Sequence, residues 1–127
     1  PPTMENERTR GYAIQKKLLK DSWLMQLDRI IPIYGDCNVI PGIDVILTRG
    51  HTMGSQTIIV NTAKGRYAFP GDYAPSLECI YKGTPTGMNV NVVAWLEDYR
   101  KIQKLLEENV QFLSNHDPKT FEQKIYG

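Results

Sequence analysis

The chain has 127 residues, enough for one ordinary domain or half of a larger one. With 41% hydrophobic and 23% charged residues and a net charge of +1, its balance is that of a globular protein and gives no electrostatic case for nucleic acid or an anionic membrane as partner. No apolar run approaches the roughly 20 residues that a membrane helix needs, and no signal-peptide pattern opens the chain, although a processed chain would have lost one.

The start, Pro1-Pro2, carries no initiator methionine; methionine removal, cleavage of a precursor and an engineered boundary all leave such an end. Residues 1–10 are polar and are expected to fray. Over residues 11–32 the apolar Tyr12, Leu18, Leu19, Trp23, Leu27, Ile30 and Ile31 recur at helical spacing, with Lys16, Lys17, Lys20 and Asp21 on the wet face and Pro32 as the stop. Asp21-Ser22 also suits the start of a second, shorter helix.

Between residues 34 and 72 the pattern changes to strands. Val39-Ile40, Ile43 to Leu47, Gln56 to Asn61 and Arg66 to Phe69 are rich in β-branched and aromatic residues. Pro41-Gly42 and Ala63-Lys64-Gly65 supply the turns, the latter reading as a hairpin. Residues 73–88, with Pro75, Gly83, Pro85 and Gly87, read as an irregular loop. Residues 89–108 read as an amphipathic helix capped by Asn89 or Asn91. Its apolar face is Val92, Leu96, Tyr99, Ile102, Leu105 and Leu106 with Trp95 beside it. Glu97, Asp98, Lys101, Lys104 and Glu108 form a solvated face. Residues 110–117 hold a short buried strand, Val110 to Leu113, and the loop that follows it. The tail from Phe121 is ambiguous.

Cys37 and Cys79 have neither CxxC nor metal-ligand spacing. They read as two reduced, partly buried thiols of a cytoplasmic protein, with one disulfide left open.

The only two histidines carry the functional signal. His51 follows the strand Ile43 to Leu47 and lies between Gly50 and Gly54, where the backbone can turn sharply. His116 follows the strand Val110 to Leu113, and Asp72 follows Arg66 to Phe69. A lone histidine is more often structural than metal-bound, and an aspartate after glycine is often only a turn former. Three such side chains at three strand ends can converge on one rim, where α/β proteins build their sites. Two imidazoles and a carboxylate suit Zn²⁺ or another first-row metal.

The stretch Gly42 to Gln56, with Thr48-Arg49-Gly50-His51-Thr52-Met53-Gly54-Ser55, resembles a metal-binding motif of the metallo-β-lactamase superfamily. It is most similar to the N-acyl homoserine lactonase branch. Gly71-Asp72 resembles the family's bridging aspartate, and Asn115-His116-Asp117 its last metal-binding histidine, usually written Gly-His-Asp. Tyr34-Gly35-Asp36 also fits. There are departures. The signature His-x-His-x-Asp-His is absent; the chain begins about where that stretch would end. Arg49 stands for the usual proline and Asn115 for the usual glycine. The tyrosine expected three positions after the bridging aspartate is here Pro75, with Tyr73 nearby.

The resemblance implies an α/β chain forming the C-terminal half of an αββα metallo-β-lactamase sandwich, a mixed sheet flanked by helices. It implies two divalent metal ions, zinc first, with manganese or iron as alternatives. His51, Asp72 and His116 would be ligands, Asp72 bridging the ions and moving a proton. Thr52, Ser55 and Asp117 are candidates to support the imidazoles, the alternative being ordinary turn and cap hydrogen bonding; Tyr73, Leu77, Tyr81 and Met88 either line the substrate wall or pack against the long helix. The implied activity is a metal-dependent hydrolase opening a lactone or ester carbonyl of a small molecule. The implied partner is a complementary N-terminal half chain bearing the His-x-His-x-Asp-His motif, in an obligate contact above roughly 2,000 Å². The alternatives on the same fold are a thioester or cyclic-amide hydrolase and a non-catalytic binding or regulatory half-domain.

Overall fold

The computed structural model describes residue 31 and residues 33–122. The expected frayed start and, but for Ile31, the expected first helix lie outside the described residues, as does the tail beyond residue 122. The chain divides into two units, Pro1–Ile33 and Tyr34–Gly127, and everything below concerns the second.

Strands β1 (Cys37–Ile40), β2 (Ile43–Leu47), β3 (Gln56–Thr62) and β4 (Gly65–Phe69) follow the runs of branched and aromatic residues. They pair as an antiparallel meander, with Thr62 opposite Gly65 at the expected hairpin. The two-residue β5 (Gln111–Phe112) then joins β4 in parallel, completing a mixed sheet in the order β1-β2-β3-β4-β5. Strands β2, β4 and β5 therefore run in one direction, and their C-terminal ends share one edge. That edge receives all three candidate ligands.

Two α-helices are described. Helix α1 (Leu77–Lys82) falls inside the stretch expected to be irregular and ends on left-handed Gly83. Helix α2 (Val92–Glu107) starts later than residue 89, because the Asn91 side chain caps it by accepting from Ala94 N at 3.0 Å. It ends on Asn109 at φ 57°, with Val110 N donating to Leu105 O at 2.9 Å, a left-handed termination made without glycine.

Alternation along the strands turns Ile59, Ala68 and Phe112 toward the helices, where they meet Ile80, Trp95, Ile102 and Leu105. Each of the larger aliphatic and aromatic side chains among them contributes about 1.5–3 kcal/mol through burial. The opposite sheet face carries Ile58 and Phe69, a registered pair left 43% and 39% exposed.

Helix α2 is rotated from the face expected of it. Ala94, Trp95, Asp98, Ile102 and Leu105 are buried, whereas Val92 and Leu96 are exposed. The expectation counted Asp98 with the solvated charges; a partner across the fold allows it inside. The expected strand Val110 to Leu113 is paired only over Gln111–Phe112. Both cysteines are free, and Cys37 is exposed rather than partly buried.

Candidate functional site

The loop after β2 is built to present His51. Arg49 is tied to Asp98 of α2 by its backbone N–H and its guanidinium. Gly50 lies against Trp95: a Cβ there would sit 2.7 Å from two Trp95 side-chain atoms, and its φ of +138° is one that L side chains rarely adopt. The Gly50 carbonyl accepts from Val90 N at 2.8 Å and Asn91 N at 3.1 Å, which ties the loop to the start of α2. Gly54, by contrast, meets nothing within 4 Å. The expected need for glycine on both sides of His51 therefore holds for Gly50.

A 3-10 turn, Gly71–Tyr73, carries Asp72 past the end of β4. Tyr73 anchors it. Its ring is fully buried and stacks on Trp95 at 4.9 Å, its hydroxyl donates to Trp95 O at 2.9 Å, and Trp95 Nε1 donates back to Tyr73 O at 2.8 Å. Burial drives the Tyr73 phenol well above its usual range. His116 reaches the same edge from β5, held by its backbone N–H donating to Pro75 O at 3.0 Å.

The three side chains meet around one carboxylate. His51 Nε2 faces Asp72 Oδ2 at 3.7 Å, and His116 Nε2 faces Asp72 Oδ1 at 3.2 Å. The other ring nitrogen of His51, Nδ1, lies 2.7 Å from the Met88 carbonyl. A carbonyl only accepts, so Nδ1 carries a proton and donates to it, which leaves Nε2 turned toward Asp72. Two imidazoles about one carboxylate, one of them oriented by the Met88 carbonyl, are a donor set of the chemical type that divalent metal ions take. Among the described residues no group of three or more His, Cys, Asp or Glu side chains is arranged to hold a metal ion. Each Asp72 oxygen faces one ring.

Asn115 Nδ2 donates to Asp72 Oδ1 at 2.8 Å. This bond is the main cause holding the Asp72 carboxyl below its usual range, slight burial opposing it and the two imidazoles adding to it. The carboxylate is therefore ionised at neutral pH.

Around these groups lies a pocket of about 100 Å³ lined by His51, Asp72, Pro75, Thr86, Met88 and His116. A larger cleft of about 520 Å³ lies between β1, β2 and α2. Its acids are already engaged: Asp36 with Lys101, Glu108 with Arg66 and Asp44 with Asn38. It holds no imidazole, and the smaller pocket is the chemically distinctive one.

The residues expected to support the imidazoles do other work. Thr52 and Ser55 bond each other, Oγ1 to Oγ at 2.7 Å. Asp117 accepts from Leu77 N at 2.8 Å and Lys119 N at 3.0 Å, so it caps two helical turns, and those bonds hold its carboxyl below the usual range. Tyr73 is core rather than substrate wall, and Leu77 and Tyr81 border a separate depression with Asp117 and Lys119. Of the expected wall only Met88 reaches the pocket. The Met88 carbonyl and Asn115 were the contacts that sequence reasoning missed. A main-chain carbonyl has no signature of its own, and in the sequence Asn115 stands out only as a departure from glycine.

No protein-family model matches the chain. No curated protein matches it by sequence. Solved structures match it in fold. One is an N-acyl homoserine lactone hydrolase with the product N-hexanoyl-L-homoserine bound at its catalytic metal center: 21% identity, TM-score 0.66, covering 74% of this chain and 38% of that one. The hydrolase AbOPH of the beta lactamase superfamily shares 18% identity at TM-score 0.67, covering 90% of this chain and 40% of its own. A probable metal-dependent hydrolase from Staphylococcus aureus shares 19% at TM-score 0.62, covering 71% and 33%. The chain thus spans two fifths or less of each of these structures. Its mixed five-stranded sheet with helices is part of the α/β metallo-β-lactamase fold found in such lactonases and hydrolases.

Proposed function

We propose that this chain is the C-terminal half of a metal-dependent hydrolase that opens a lactone or ester-type carbonyl, N-acyl homoserine lactones first among substrates. One observation carries the reading: the Asp72 carboxylate has an imidazole Nε2 facing each of its oxygens, at 3.7 and 3.2 Å. His51 and Asp72 Oδ2 would hold one divalent ion, and Asp72 Oδ1 and His116 the other. When bound, two ions such as zinc polarise a carbonyl and lower the pKa of water toward neutrality. The chain's own residues orient the groups. The Met88 carbonyl fixes the His51 tautomer, Trp95 and Asp98 hold its loop, and Asn115 fixes the carboxylate plane. Ionised Asp72 is placed to take a proton and pass it to a leaving oxygen.

Two ligands for each ion are too few for a tight site. The remainder would come from a complementary segment bearing His-x-His-x-Asp-His. The exposed Ile58–Phe69 pair on the sheet face away from α2 supports such a partner, since apolar patches of this kind mark contact surfaces. Thioester and cyclic-amide hydrolysis are the competing chemistries on this fold.

Native mass spectrometry with metal analysis tests the reading. The expected result is a second polypeptide segment and two divalent ions per assembled unit, with metal lost in His51→Ala and His116→Ala. Hydrolysis of N-acyl homoserine lactones compared with thioesters and cyclic amides then fixes the substrate class. A metal-free complex without hydrolytic activity would make the chain a binding subunit instead.

A further inference from the structure

We propose that Asn115 is a positioning residue that makes the two metal positions on Asp72 unequal: the one between His51 and Oδ2 fills first, the one between Oδ1 and His116 second. This inference rests on the metal reading above.

The carboxylate's two oxygens have different surroundings. Oδ1 accepts the Asn115 amide at 2.8 Å and also faces His116 Nε2 at 3.2 Å. Oδ2 faces only His51 Nε2 and, among the described residues, receives no hydrogen-bond donor. A carboxylate accepts and cannot donate, so the Asn115 group that meets it is the NH₂ and not the carbonyl. That N–H occupies a lone-pair direction on Oδ1 and withdraws charge from it. A cation approaching Oδ1 shares this oxygen with the amide; one approaching Oδ2 does not.

The two rings differ in the same sense. The Met88 carbonyl fixes the His51 tautomer and raises the basicity of Nε2. The His116 side chain is 67% exposed, against 25% for His51, and pays more rotamer entropy to be held. Both effects favour the His51 side.

The chain's only two histidines make the test direct. Zinc chloride is titrated into the full chain, up to the order of millimolar for a site with few protein ligands. The ring ¹⁵N signals are followed, assigned with His51→Gln and His116→Gln. The expected result is that His51 Nε2 half-saturates at a zinc concentration about tenfold below that of His116, the scale of one hydrogen bond to a charged group. In Asn115→Ala, and independently in Asn115→Gly, the gap narrows because the His116 position tightens. Asn115 is exposed with an ordinary backbone φ, so both variants keep the fold. Parallel saturation of both rings in the unaltered chain overturns the proposal, as does a gap that persists unchanged in both variants. Silence of both rings in the unaltered chain also overturns this proposal, whereas the metal reading falls with a metal-free native complex, because most of each ion's ligands would come from the partner segment.

Discussion

Asp98 receives three hydrogen bonds from Arg49, each 2.8 Å long: from the backbone N–H and Nε onto Oδ2, and from Nη2 onto Oδ1. The side chain of Asp98 is only 6% exposed. One carboxylate on α2 therefore fixes both the main chain and the side chain of the residue two positions before His51. Buried charge is tolerated here because it is fully paired.

Replacing Asp98 with alanine is expected to lower stability by about 1.5–3 kcal/mol, the range for hydrogen bonds to a charged group. The cost stays below that of an orphaned buried ion because Arg49 is partly exposed and already touches Glu97 at 3.2 Å. Urea denaturation of the two proteins measures the difference. A change below about 0.5 kcal/mol, the range of ordinary surface substitutions, would show that the clamp is energetically idle.

The same pair sets an acid limit. Burial pushes the Asp98 carboxyl up, but the hydrogen bonds from Arg49 outweigh it and leave the group below its usual value of 3.8. Asp36 is depressed in the same way: burial opposes, while Lys101 and the Leu47 N–H prevail. A carboxyl that is more acidic in the folded state stabilises above its unfolded pKa and loses that contribution as pH falls through the folded one. Stability should therefore be nearly flat from these two groups near neutrality and should decline below about pH 4. Asp98→Asn should flatten that decline, which urea midpoints measured between pH 3 and 7 would reveal; an unchanged slope would assign the acid sensitivity elsewhere.

Glycine substitutions separate the two turns flanking His51. Gly50→Ala places a Cβ against the Trp95 side chain at a backbone angle that L residues rarely adopt. Overpacking of this kind costs about 1–3 kcal/mol, with the angle adding to it. Gly54→Ala meets open space at an ordinary φ and should be neutral within about 0.5 kcal/mol. Thermal or urea unfolding of both variants checks the contrast, and equal effects would contradict the packing of the loop on α2.

The strands were legible because each has its own local signal: branched residues between Pro41-Gly42 and Lys64-Gly65. The convergence of His51, Asp72 and His116 was legible because each follows a strand run, and β2, β4 and β5 prove to be parallel. Helix α1 was not, since Pro75, Gly83 and Pro85 crowd a six-residue element. It is held by contacts distant in sequence: Asp117 accepts from Leu77 N, and the Tyr99 hydroxyl donates to Ile80 O at 2.6 Å. The true face of α2 was hidden for a related reason. Periodicity counts Asp98 as polar, and only the fold shows that Arg49 neutralises it inside.

Tyr73 gives the sharpest separation of a structural role from a substrate role. It sits beside Asp72 in sequence, yet its hydroxyl is spent on the Trp95 carbonyl and its ring on the Trp95 indole. Tyr73→Phe keeps the stack and removes one buried hydrogen bond onto the Trp95 carbonyl, which keeps its place in the helix ladder. The expected loss is about 0.5–1.5 kcal/mol of stability, with zinc binding at His51 and His116 unchanged because the 3-10 turn still carries Asp72. If the proposed function holds, the variant should keep the turnover of the unaltered protein at temperatures below its unfolding range. A variant of full stability with markedly weaker turnover would contradict this purely structural role and place the phenol against the reacting carbonyl.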